Sequence, residues 1–417
     1  MRQLNYLKKM LLIALAIETL CVTYALYLPS MISVVSVLHT LSGISIAIGL
    51  LWTQPSAAGL QNEPAISGPT LLKYRLPLAA IVVTAMFFLA ARWMRDEPLN
   101  YREADMLPII KIMCERFLAG AWSHVYDPIP QIWQGTGPIY LPAMWLPFTL
   151  PVALHIDPRW LTVGLLFVVF CVFLYKTDFR KRTVWIPCTC CILLFVWLFT
   201  DEKASLIPYT EEGVVVFYYV MLMLALLNGN VWLIGIAASL CVLSRYALIG
   251  WLPAMLLYYA YRKEWRNLFR FIITGTVSFF GLLILPFGWG IFSSLSKLPS
   301  SYVAFTSRVW QDAPAFFTES LGWAKFFGPT RINMQHQLLL ILSFVIPVVA
   351  MCIFIWWQKR VNFAVQNIPL AVLKITLVVF YTLVDVPYLY LFYTSSFVSL
   401  FAVAVFLQRE KITTTNV

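Results

Sequence analysis

Residues 338–357, LLLILSFVIPVVAMCIFIWW, decide the fold class. This run carries no charge, its one hydroxyl is Ser343, and Lys359–Arg360 closes it. A helix that crosses a bilayer needs roughly 20 predominantly apolar residues, and this run supplies them. Outward from it, the same reading finds further apolar segments at 10–28, 31–52, 76–92, 140–155, 159–175, 184–200, 213–228, 230–243, 246–261, 269–287, 366–384 and 387–407. The expectation is an all-α fold, a polytopic transmembrane helix bundle of about 12–13 spans.

Composition agrees. Of 417 residues, 61% are hydrophobic and only 12% charged, where soluble domains carry about 25%. So few charges cannot cover a soluble surface. Soluble enzymes, disordered proteins and nucleic-acid binders are excluded despite the net charge of +11. Met1–Met10 is followed by an apolar run and almost at once by a second, without the polar mature start that a cleaved signal needs, so the first span reads as a retained anchor. Seven of the eight cysteines lie in apolar segments and read as core filler; Cys114 alone falls in a polar loop.

Loop charge sets the orientation. Arg2, Lys8 and Lys9, Lys73–Arg75, Lys176–Arg182, Arg262–Arg270, Lys359–Arg360 and the tail with Arg409 and Lys411 read as cytoplasmic. The polar segments 93–139 and 291–337 and the acidic stretch 201–212 fall opposite. Thirteen crossings put the basic tail on the wrong side, so one segment does not cross. Two qualify: 140–155, interrupted by Pro142, Pro147 and Pro151, and 230–261, broken at Ser244–Arg245. The chain divides into N-terminal helices (1–92), a first non-cytoplasmic loop carrying the catalytic candidates (93–139), a central bundle (140–290), a second non-cytoplasmic loop (291–337), and C-terminal helices with a cytoplasmic tail (338–417).

The first loop holds the chemistry candidates. Arg95–Ile139 carries six of the chain's nineteen acids against four bases, a concentration that suggests a site. Asp105 begins a predicted helix whose apolar face is Met106, Ile109, Ile110, Met113 and Phe117, with Lys111 off that face and Gly120 positioned to end it. Such a helix lies in the membrane interface. Asp105 has two compatible readings: a helix N-cap, or a carboxylate kept ionised by the helix dipole and able to act as a general base. Tyr126, Asp127, Trp133 and Tyr140 follow in a Pro- and Gly-rich stretch. Its aromatics are an interfacial belt or a platform for sugar rings. Arg245 and Asp385 lie within or beside apolar runs, where ionisable groups are costly. Arg245 reads as functional and Asp385 as structural.

Three stretches carry a resemblance: Ala104–Asp105–Met106 with Leu118–Ala119–Gly120 and Tyr126–Asp127; Gly137–Pro138–Ile139–Tyr140–Leu141–Pro142 with Pro147; and Ser244–Arg245–Tyr246 through Leu252–Pro253 into the basic stretch Tyr261–Arg270. Together, over roughly 93–270, they resemble the GT-C superfamily of integral membrane glycosyltransferases, in particular its polyprenol-phosphate-sugar-dependent, mannosyltransferase-like branch. The resemblance implies transfer of a mannose-like hexose or a pentose from a polyprenyl-phosphate donor to a lipid-linked or glycan acceptor hydroxyl on the non-cytoplasmic face. It implies Asp105 as general base, with Glu103 as its substitute.

Arg245, Arg308, Arg331 and His336 are the donor-phosphate candidates, and Lys111, Tyr126, Asp127, Trp133 and Tyr140 the substrate-binding ones. No cofactor is certain; Glu103, Asp105 and another acid offer a divalent-metal site. The partners expected are donor, acceptor and membrane lipid, without nucleic acid, in a multi-pass protein of a bacterial inner membrane. Competing readings are a flippase or transporter for lipid-linked sugars, a polysaccharide ligase or polymerase resting on Arg and His of the late loop, and a subunit without chemistry.

Overall fold

The computed structural model describes residues 2–52, 69–96, 99, 106–130, 137–177, 182–200, 210–361 and 363–409. It is 83% helical, with no strand among the described residues. In chain order the helices are α1 (Arg2–Tyr24), α2 (Ile32–Leu51), α3 (Pro69–Asp96), α4 (Met106–Leu118), α5 (Pro142–Trp145), α6 (Thr149–Ala153), α7 (Arg159–Lys176), α8 (Trp185–Thr200), α9 (Glu212–Asn228) and α10 (Val231–Ser244). There follow α11 (Trp251–Tyr261), α12 (Trp265–Phe279), α13 (Leu285–Phe287), α14 (Ile291–Leu295), α15 (Leu298–Asp312), α16 (Ala315–Thr318), α17 (Ala324–Phe327), α18 (Ile332–Gln358), α19 (Ile368–Leu383) and α20 (Leu391–Arg409).

Among the described residues, eight helical segments are long and apolar enough to cross a membrane, which makes the chain an integral multi-pass membrane protein. They are Tyr6–Tyr27, Pro29–Leu51, Leu76–Asp96, Arg159–Lys176, Trp265–Phe287, Pro329–Gln358, Val365–Leu383 and Leu391–Gln408. Helices α8, α9 and α10 are shorter apolar helices, and α11 is shorter still. The thirteen segments expected from hydropathy therefore reduce to eight of full spanning length. Hydropathy registers how apolar a segment is, while proline and the Arg245 break set how long its helix runs.

Segment 140–155 is the plainest case. Pro142, Pro147 and Pro151 divide it into α5, a 3₁₀ turn at Leu146–Phe148 and α6. Segment 230–261 is a reversal. Arg270 lies over the Trp232 ring and the Ser239 hydroxyl donates to the Gly275 carbonyl, so α10 and α12 run in the same direction. Helix α11 returns between them, its Tyr259 packed on Phe271. The return brings α11 hard against α18: a Cβ at Gly250 would stand 2.3 Å from the Phe344 carbonyl oxygen.

Helices α19 and α20 form the centre, their apolar windows 72% and 89% buried, whereas α3 is 11% buried and turns Leu76, Ile81 and Phe88 outward. Outward apolar residues are the expected surface of a helix in lipid. Helix α4 forms where the heptad-like spacing predicts it and ends before Gly120, whose φ of +77° is a left-handed conformation that glycine adopts freely. Its apolar face, with Ile109, Ile110 and Met113 almost fully buried, packs on α5 and α6. The sequence reading places this helix in the membrane interface; its apolar face is covered by protein. Cys114 also differs from its sequence reading: one turn after Ile110, it is buried against the Trp145 carbonyl, and burial pushes its thiol up to about 12.

Candidate functional site

The start of α9, the ends of α10 and α19, and the starts of α18 and α20 meet at one end of the bundle. Arg245 is the C-cap of α10, where the backbone leaves the helix for an extended conformation (φ −146°, ψ 136°). That turn carries its side chain inward to 9% exposure. Nη2 stands 2.6 Å from Glu212 Oε2 and 3.1 Å from Glu211 Oε1, and Nη1 donates to the Tyr381 hydroxyl at 3.3 Å. The Thr394 hydroxyl donates to Glu212 Oε1. One guanidinium thus faces two carboxylates, themselves 2% and 0% exposed. Such burial is tolerable only with partners this close.

A second pair sits beside the first. His336 Nδ1 and Asp385 Oδ2 are 2.6 Å apart. An ionised carboxylate only accepts hydrogen bonds, so Nδ1 is the donor to Asp385. Burial pushes the Asp385 carboxyl up, and the His336 hydrogen bond draws it back down. Tyr302 stacks over the imidazole at 6.4 Å between centroids, and burial raises its phenol. Gln335 Nε2 donates to the Leu383 and Val384 carbonyls, and Trp323 N to the Thr382 carbonyl, which fixes the chain leaving α19.

Between these groups lies a cavity of about 70 Å³. Glu211, Ser244 and Arg245 supply its polar floor, and Tyr140, Tyr246, Tyr302, Tyr388 and Tyr390 much of its wall. Tyr388 and Tyr390 stack on each other at 5.5 Å, and the Tyr390 hydroxyl contacts Met106 Sδ at 2.7 Å. Met106, the first described residue of α4, also lines the cavity.

The sequence candidates distribute unevenly around this site. Arg245 and Tyr140 line the cavity, and His336 lies behind Tyr302. Tyr126 accepts a hydrogen bond from Trp145 Nε1 and packs on Phe287, away from the lining; burial raises its phenol. Asp127 is exposed and bonded to His124 at 2.7 Å. Lys111 is half-buried and 3.9 Å from Glu115. Arg331 is exposed at the start of α18, and Arg308 is half-buried on α15. Glu103, Asp105 and Trp133 lie outside the described residues. So do the proposed metal carboxylates Glu103 and Asp105; among the described residues no three His, Cys, Asp or Glu side chains are grouped to hold a metal ion.

Glu211 and Glu212 were not singled out by the sequence reading, which treated 201–212 as an acidic loop. Their signal is that both abut the apolar run beginning at Gly213, the same argument that selects Arg245. A further buried pair was also missed. Glu18 and Lys374, both 0% exposed, are 2.6 Å apart, and Lys374 Nζ also donates to the Ser395 hydroxyl at 2.6 Å. Both sit inside apolar runs that otherwise read as featureless spans. No family model, curated protein or solved structure matches the chain.

Proposed function

We propose that the chain is a membrane glycosyltransferase of GT-C type. It moves a mannose-like hexose or a pentose from a polyprenyl-phosphate donor to the hydroxyl of a lipid-linked or glycan acceptor. The observation that carries the reading is the tyrosine-walled cavity with a buried carboxylate–guanidinium floor, whose wall includes Met106, the residue that follows Asp105 in the sequence. Aromatic faces suit the apolar face of a sugar ring, and fixed carboxylates suit its hydroxyls.

Sidedness supports the reading. If α8, α9, α10 and α11 cross with the eight long helices and 140–155 does not, the count is twelve. The start of α1, the end of α20 and the basic stretches 73–75, 176–182, 262–270 and 359–360 then share one side, as the excess of Lys and Arg in cytoplasmic loops requires. The cavity falls on the other side, where lipid-linked donors are used, and a bacterial inner membrane is the proposed setting.

In this mechanism Asp105 takes the acceptor hydroxyl proton as that oxygen attacks the anomeric carbon. The bond from that carbon to the donor phosphate breaks, the phosphate leaves with the electron pair, and the anomeric configuration inverts. Developing negative charge on the phosphate needs cations; Arg308, Arg331 and His336 are the proposed supply. Arg245 has its nitrogens on two carboxylates and a tyrosine, so its proposed role is to hold Glu211 and Glu212 in place. The His336–Asp385 pair favours a second reading, a lipid-linked glycan ligase with His336 Nε2 as proton acceptor.

The test offers the purified protein, in lipid nanodiscs, a panel of radiolabelled polyprenyl-phosphate sugars with acceptor lipid extract. Transfer of one sugar with inverted configuration is the expected result. Binding of lipid-linked sugar without transfer from any donor would contradict the proposal and point to a flippase.

A further inference from the structure

Glu211 has an unmet acceptor. Its Oε1 meets Arg245 at 3.1 Å, whereas Oε2 has no hydrogen-bond partner among the described residues. The side chain is 2% exposed and lines the cavity. A buried carboxylate oxygen without a donor is costly. The neighbouring Glu212 differs: Oε1 accepts from Thr394, Oε2 lacks hydrogen-bond geometry but is ion-paired 2.6 Å from Arg245 Nη2, and the residue does not line the cavity.

The local charges restrict which ligand can supply the donor. One guanidinium against two carboxylates leaves the cluster no surplus positive charge, which disfavours an anion. The Arg245 guanidinium, 3.1 Å from the carboxylate in question, disfavours a cation. A neutral hydroxyl donor meets neither objection. At about 70 Å³ the cavity takes in the hydroxyl-bearing edge of a sugar rather than the whole ring, and the stacked Tyr388–Tyr390 pair adds aromatic surface on its wall.

We propose that Glu211 is the specificity-determining residue of the cavity: its Oε2 accepts a hydrogen bond from a ring hydroxyl of a neutral sugar. This selects an uncharged polyhydroxyl head group and, within that class, one hydroxyl position. The inference rests on the reading of the cavity as a sugar site, and its test needs no turnover, so loss of transfer activity and failure of this assignment are separate results.

The experiment titrates chain-matched probes into the full-length protein in lipid nanodiscs: octyl glucoside, octyl mannoside and their monodeoxy derivatives, with octyl phosphate and octyltrimethylammonium as charged counterparts. The expected result is that a neutral glycoside binds in preference to both ions, and that deletion of one particular hydroxyl weakens it about tenfold or more. Glu211→Gln should lower that glycoside's affinity by a similar factor and abolish the difference between it and the deoxy analogue. Glu212→Gln, which alters the same charge cluster away from the cavity, should retain the discrimination. Preference for either ion, equal affinity across the deoxy series, or unchanged glycoside discrimination in folded Glu211→Gln would overturn the proposal. Equal affinity across the wild-type deoxy series overturns the proposal even if Glu211→Gln does not fold.

Discussion

Lys325 carries a testable charge state. Its Nζ reaches the Ser36 hydroxyl at 2.7 Å and the Ser320 carbonyl at 2.9 Å, and burial lowers its pKa to about 8. The sign follows from desolvation, which favours the neutral amine. Between about 8 and the ordinary 10.5, the unfolded chain binds more protons than the folded one, so this residue makes stability rise with pH across that window. Acylation of Lys325, followed by peptide mass spectrometry, should show a midpoint near pH 8; a midpoint near 10.5 would mean an amine fully in water. Arg245 was legible in the sequence because it is a charge in an apolar run. Glu18 and Lys374 satisfy the same criterion but are diluted in longer runs that hydropathy averages flat. Their partners, 356 residues apart, are joined only by the fold.

At the scale of elements, that pair ties α1 to α19, and Ser395 brings in α20. Removing one member leaves a buried charge uncompensated, at a cost of about 3–5 kcal/mol. Lys374→Met and Glu18→Gln should each lower the melting temperature in detergent, and the double variant should recover part of the loss. Additive losses would mean the two charges do not stabilise each other. Element existence was largely readable: long apolar runs became helices, and the apolar spacing after Asp105 became α4. Direction and depth were not. Nothing in the composition of 230–261 tells a broken helix from a reversal, because that choice is made by contacts of α10 and α11 outside the segment, with α12 and with the more distant α18. The cavity was legible only in part for the same reason. Its Tyr140 and Arg245 lie in motifs, while Tyr302, Tyr388 and Tyr390 come from segments with no local signal.

For the whole molecule, twelve crossings make a definite prediction about sides. Single cysteines at Ser123 and Ser293 should react with a membrane-impermeant maleimide added outside intact cells. Cysteines at Lys263 and Arg360 should react only after permeabilisation. Native thiols should not interfere: six are buried, and the exposed Cys171 and Cys352 lie within spanning helices, facing lipid. Labelling of Lys263→Cys from outside would contradict the count and move the cavity to the other face. The central claim, sugar transfer with a loop carboxylate as base, is tested most directly by one comparison. Transfer rate and donor affinity are measured for the wild type and Asp105→Asn in nanodiscs, with the donor that the wild type uses. The account predicts that transfer falls by about 10²–10⁴ while donor affinity holds, as expected when a general base is lost. Transfer at the wild-type rate in Asp105→Asn would contradict it.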